Sequence, residues 1–166
     1  MSGPPELSAL RQIIVDAAEK AGLSNIGLRQ TQAKADGSIV TDLDHEMQRI
    51  ISTELKSRWP EFSFMGEEMD HGEQAQIVVD GQETGFWALD PLDGTTNFAM
   101  GFPFYGVSLA LVVGGESKLG VVYDPVRREC FSASAGEGAY LDGMPLKTPK
   151  SSLVLRDCVA NVDYKR

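Results

Sequence analysis

Residues 105–143 read YGVSLALVVGGESKLGVVYDPVRRECFSASAGEGAYLDG. An apolar run, 107–113, meets the turn signal GGE, returns as KLGVVYD, turns at DPVRR, and returns as ECFSASA before the glycine-rich GEG and AYLDG. Short β-branched and aromatic runs separated by Gly, Pro and Asp clusters predict strands joined by tight turns, here an antiparallel meander. A lone Gly-x-Gly between strands reads as a turn. Gly136–Gly138 lacks the third glycine and the following helix of a dinucleotide site.

Upstream of the meander the period changes. Leu7, Leu10, Ile14, Ala17, Ala18 and Ala21 fall on one helical stripe, and Gly22 stands where a C-terminal cap belongs. Thr41 opens a second helical pattern, with Leu43, Met47, Ile50, Ile51 and Leu55 at helical spacing until Pro60. EFSFM (61–65) and GFWAL (85–89) read as strands stopping at acidic loops, and the stretch between them, with Asp70 and His71, as polar loop. Helices and strands segregated in blocks favour an α+β domain over 1–166, its two helices on one face of a largely antiparallel sheet.

The totals bound the function. A chain of 166 residues suits one domain, and 42% hydrophobic with 23% charged residues is ordinary for a globular protein. No apolar run has the length of a membrane span. The beginning, MSGPPELSAL, has no basic region leading into an apolar one, so the expected location is cytoplasmic. A net charge of -9 argues against a general nucleic-acid or phospholipid surface. Cys130 and Cys158 have no metal-type spacing and read as buried free thiols, while His45 and His71 read as solvated.

The chemistry lies in the acidic loops. With 24 acidic residues in 166, chance alone gives roughly three Asp or Glu pairs at i,i+3, so Asp90-x-x-Asp93 carries little weight by spacing. Its context carries more. Asp90 ends an apolar strand, Pro91 fixes the backbone, and Gly94 permits a tight approach before TTNF. Such a turn can aim the Asp90 and Asp93 carboxylates and the Leu92 carbonyl at one point, with Glu67 and Glu68 delivered by the neighbouring strand end. Hard oxygen donors without His or Cys suit Mg²⁺. A helix starting near Thr95 would present the Gly94 and Thr95 N–H groups to an anion.

GEE followed by DPLDGTTNF closely resembles the inositol monophosphatase family of Mg²⁺-dependent, lithium-sensitive phosphatases. The resemblance runs from the first helix through VTDLD, both acidic motifs, VVYDP and GEGAYLDG. It implies that Glu67, Asp90, the Leu92 carbonyl and Asp93 ligate metal. Substrate phosphate would meet Glu67, Leu92, Asp93 and the Gly94 and Thr95 amides. Glu67, Asp44 and Thr95 would be catalytic, the last two orienting the attacking water. Asp44 can equally serve as an acid stabilising the start of its helix, and the two roles are compatible. Glu68 reads either as a ligand or as a group that positions Glu67, and Lys34 as a catalytic-loop lysine or a solvated charge.

The implied reaction is hydrolysis of a small phosphorylated polyol or sugar by metal-activated water, in a homodimeric enzyme using two or three Mg²⁺ ions. Family members resemble a sandwich of two halves, and the chain stops at NVDYKR, before the Trp-Asp-x-Ala-Ala-Gly motif of the second. It therefore reads as the N-terminal half: a piece of a longer protein, a natural half that pairs with another chain, or a non-catalytic metal- or phosphate-binding interaction module.

Overall fold

The computed structural model describes residues 4–24, 31–33 and 39–148. Lys34 and Cys158 lie outside them. Helix α1 covers Leu7–Ala21 and α2 covers Asp42–Arg58, with a short β1–β2 pair, Thr31–Ala33 and Ile39–Thr41, between them. Gly22 closes α1 in the left-handed region, its N–H donating to Ala18 and Glu19 carbonyls. The predicted bounds of both long helices hold because apolar period and cap agree at each.

A seven-stranded sheet follows in sequence order: β3 (Ser63–Gly66), β4 (Phe86–Asp93), β5 (Gly106–Val113), β6 (Glu116–Asp124), β7 (Glu129–Ser134), β8 (Gly138–Leu141) and β9 (Met144–Pro145). Every pairing is antiparallel except β3 with β4. Parallel neighbours need a crossover, and helix α3, His71–Thr84, provides it. This corrects the reading of that stretch as loop. HGEQAQIVVDGQET holds two glycines and adjacent valines, and it buries only Gly81, so it lacks the apolar stripe by which a helix is recognised. Asp70 is its N-cap, accepting the Gly72 N–H at 2.7 Å, and His71 is its first residue. A short helix α4, Thr95–Ala99, follows β4 as expected.

Strand alternation sorts the sheet. Phe64, Trp87 and Leu111 stand in register on one face, as do Leu89, Leu109 and Val121, all buried with the apolar sides of α1 and α2. Trp87 stacks obliquely on Trp59 at 5.6 Å. Cys130 belongs to this core as a free thiol whose pKa burial pushes up. On the opposite face α3 covers one edge, Gly81 meeting Phe86 so closely that a Cβ would lie 2.7 Å from the ring. Val122 and Phe131 there are 48% and 39% exposed. No helix among the described residues is long and apolar enough to cross a membrane.

Candidate metal and phosphate site

Parallel pairing sets Gly66 beside Leu89, and the Glu67 N–H donates to the Leu89 carbonyl at 3.0 Å. The pairing brings Glu67 level with Asp90. Beyond Asp90 the ladder slips: Asp90 pairs Ser108 and Asp93 pairs Gly106, so β4 spends one residue more than β5. This bulge bends the strand end and redirects its side chains. Asp90 Oδ1 accepts the Leu92 N–H at 3.1 Å, while the Leu92 side chain is driven into the core.

Gly94 then adopts φ 86°, and a Cβ there would lie 3.0 Å from the Phe104 carbonyl oxygen. Glycine satisfies both demands. The first N–H groups of α4 have no carbonyl partner within the helix, which spans only five residues and carries a correspondingly small dipole.

The hydroxyl of Thr95 lies 2.8 Å from the Leu92 carbonyl and 3.2 Å from Asp44 Oδ1. It has one proton and donates to one of them at a time. Asp44 is 1% exposed. Its Oδ2 accepts from the Thr41 N–H at 2.7 Å and the Thr41 hydroxyl at 2.6 Å, closing a capping box at the start of α2. The helix-start role read for Asp44 is thus present in the geometry, and Asp44 also stands within hydrogen-bond distance of Thr95.

Three carboxylates act on one another. Burial, then the charge of Glu67 and a hydrogen bond with it, then the charge of Asp93, push the Asp90 carboxyl up to about 7, against the Leu92 N–H. The Asp90 carboxyl is therefore partly protonated near neutral pH, level with Glu67 across the strand pair. Even so, no group of three or more His, Cys, Asp or Glu side chains among the described residues is set to hold a metal ion. The fold brings Glu67, Asp90 and Asp93 into electrostatic contact without forming such a group. Their donor set is all hard oxygen, and the Leu92 carbonyl keeps a lone pair beyond the Thr95 contact. A divalent cation fits such a set, since it would reverse the repulsion that holds a proton on Asp90.

Open hollows flank the carboxylates on the sheet face away from α1 and α2. One of about 310 Å³ includes Glu67, Gln74, Asp90 and Ser108 in its lining, and one of about 350 Å³ includes Asp93, Gly94, Phe104 and Phe131. Glu68 is half-buried on the turn after Glu67. Gln74 was not legible as a neighbour of the site. Its Nε2 donates to the Gly66 carbonyl at 2.9 Å and the Glu67 carbonyl at 3.2 Å, a contact that exists only because α3 does.

A model described as the inositol monophosphatase family matches residues 6–165. Inositol monophosphatase 1 of Solanum lycopersicum is 37% identical over 148 residues, 87% of this chain and 53% of the relative. Nus factor SuhB of Vibrio cholerae is 37% identical over 143 residues, 81% of this chain and 51% of the relative. A crystal structure of an IMPase/NADP phosphatase complexed with Mg²⁺ and phosphate superposes with a TM-score of 0.68 at 27% identity, covering 87% of this chain and 51% of that one. The chain thus spans about half the length of the relatives it matches. A relative named Nus factor leaves the charge argument against a nucleic-acid partner without support from this comparison.

Proposed function

The chain belongs to the inositol monophosphatase family, and from that membership we propose that its acidic cluster holds Mg²⁺ and serves the hydrolysis of a phosphate monoester, a small phosphorylated polyol or sugar. The observation that carries the reading is the placement of Glu67 level with Asp90, and of Asp93 beside them, at adjoining strand ends, where burial and the neighbouring charges raise the Asp90 carboxyl to about 7. A site that strains to neutralise a carboxylate near neutral pH is a site built around a missing positive charge.

In this reading Glu67, Asp90, Asp93 and the Leu92 carbonyl ligate the metal. Bound there, Mg²⁺ would supply Lewis acidity, lowering the pKa of the attacking water and drawing charge from the leaving oxygen. The protein's own part is positioning. When the Thr95 hydroxyl donates to Asp44 Oδ1 or to the Leu92 carbonyl, its lone pairs are left to accept a hydrogen bond from a water and so to orient it. The Gly94 and Thr95 N–H groups would receive phosphate oxygens, and Glu68 would steady Glu67. Neither the mechanism nor the donor set requires a covalent phosphoenzyme.

Activity belongs to the complete protein. A cytoplasmic homodimer follows from the same family reading, with the open sheet face around Val122 and Phe131 covered by the family's other half. Alone, the 166 residues are expected to bind metal weakly and turn over poorly.

The test is release of inorganic phosphate by the complete protein from inositol 1-phosphate, histidinol phosphate, fructose 1,6-bisphosphate and nucleotide phosphates. Hydrolysis of at least one, abolished by EDTA and by Asp90→Asn, supports the proposal. Thr95→Ala should lower turnover while sparing metal binding. Metal binding without hydrolysis of any of them would favour a non-catalytic interaction module.

A further inference from the structure

Glu67 is the first residue past the end of β3, where the ladder no longer holds both sides of the chain. Its N–H is still paired with Leu89, but the Gly66 and Glu67 carbonyls turn away from β4 toward α3. Both accept from one side-chain amide, that of Gln74, at 2.9 and 3.2 Å, and the Gly66 carbonyl also accepts from the Met69 N–H at 3.3 Å. The Gly66 N–H donates to Met69 Sδ at 3.2 Å. On the other side the tip of Gln48, from α2, presses so closely that a Cβ on Gly66 would overlap its Oε1. The peptide joining Gly66 to Glu67 is trapped between two glutamines from two helices. Because the plane of that peptide helps set the direction of the Glu67 Cα–Cβ bond, holding it narrows where the Glu67 side chain leaves the backbone beside Asp90.

We propose that Gln74 is a positioning residue for the metal site, clamping the Gly66 and Glu67 carbonyls so that Glu67 is aimed at Asp90 and Asp93. The inference rests on reading Glu67 as a metal ligand. Gln74 is well anchored for the task. It lies in the first turn of α3, its N–H donates to the Asp70 carbonyl at 2.9 Å, and its Oε1 lies 3.4 Å from His71 Nδ1. The helix around it adds little to the core, burying only Gly81 and leaving Val78 and Val79 43% and 62% exposed. Loss of the clamp should therefore be felt at the ligand rather than in the fold. Groups that orient metal ligands typically change affinity by 10–100-fold when removed.

The experiment titrates Mn²⁺ into the complete protein, following free Mn²⁺ by electron paramagnetic resonance, alongside thermal unfolding without metal. Gln74→Met keeps length and helix propensity and removes the donor. Gln76→Met is the control, removing an equivalent amide from Asp80 Oδ1, 2.8 Å away on the same helix. Gln74→Met should raise the Mn²⁺ dissociation constant about ten-fold, with the melting temperature within about 2 °C of wild type, while Gln76→Met leaves both in place. Tight binding by wild type and Gln74→Met alike would overturn the inference and leave the metal reading standing. Equal weakening by Gln76→Met would trace the effect to helix stability and also overturn it. No Mn²⁺ binding by wild type would overturn the metal reading itself, and the clamp's role with it.

Discussion

Asp44 offers a test in which charge and hydrogen bonding can be separated. Its carboxylate is buried and accepts from the Thr41 N–H, the Thr41 hydroxyl and the Thr95 hydroxyl. In Asp44→Ala the Thr95 hydroxyl still has the Leu92 carbonyl, and the Thr41 hydroxyl can rotate. The buried Thr41 N–H has nowhere to go. An orphaned buried donor costs about 1–3 kcal/mol, and loss of an acid from the first turn of α2 adds about 0.3–1 kcal/mol, so Ala should destabilise by about 2–3 kcal/mol. Asp44→Asn is different. The amide oxygen can take over both Thr41 bonds, and the amide nitrogen can donate to Thr95 Oγ1, which then donates to Leu92. Only the charge is lost, at about 1 kcal/mol or less. Trp59 and Trp87 are both buried, so urea unfolding followed by tryptophan fluorescence reads the difference. With m near 1–3 kcal/mol per molar, the two variants should have midpoints separated by roughly 1 M. Equal midpoints would refute the argument that the carboxylate acts chiefly as an acceptor for Thr41. The same substitution carries a functional corollary: in Asn the Thr95 lone pairs are engaged by the amide, so turnover of the complete protein should fall even where stability is kept.

Three further outcomes follow from the same geometry. The Asp90 carboxyl titrates near 7 in the fold against about 3.9 in an unfolded chain, so the folded state binds more protons between those values. Metal-free stability should therefore decline as pH rises from about 4 through about 7; Asp90→Asn should flatten that decline, and melting temperatures in EDTA that rise with pH would contradict it. Gly94→Ala forces a side chain into positive φ and against the Phe104 carbonyl, which should cost about 2 kcal/mol and lower the melting temperature by about 4–8 °C. Asp93→Asn should weaken Mg²⁺ binding more than Asp70→Asn in calorimetric titration, since Asp70 caps α3 through an oxygen that Asn retains.

Where two local signals agreed, the sequence was enough to place an element. Thr41 supplied both a cap and the start of the stripe through Leu55, and the meander from Gly106 to Leu141 carried a turn signal at every reversal. Helix α3 escaped because its cause is topological: two parallel strands need a crossover whatever the propensity between them. Gln74 escaped with it, since a residue assigned to a loop has no predictable neighbour. In the site, the strand ends that bear Glu67 and Asp90 were legible from their apolar approaches. The raised Asp90 carboxyl was not, because it depends on the parallel register that sets Gly66 beside Leu89. Lys34, the one basic residue connected with catalysis in the sequence, lies outside the described residues.

The central claim, that the acidic cluster is a Mg²⁺ site, is tested most directly by calorimetric titration of Mg²⁺ into the complete protein at pH 6 in buffers of different ionisation enthalpy. If the metal displaces the proton held on Asp90, binding should release about one proton, and the heat should vary with the buffer accordingly. Glu67→Gln and Asp90→Asn should each abolish that dependence together with most of the affinity. Mg²⁺ binding that releases no proton, or that survives both substitutions, would place the ion elsewhere and contradict the account.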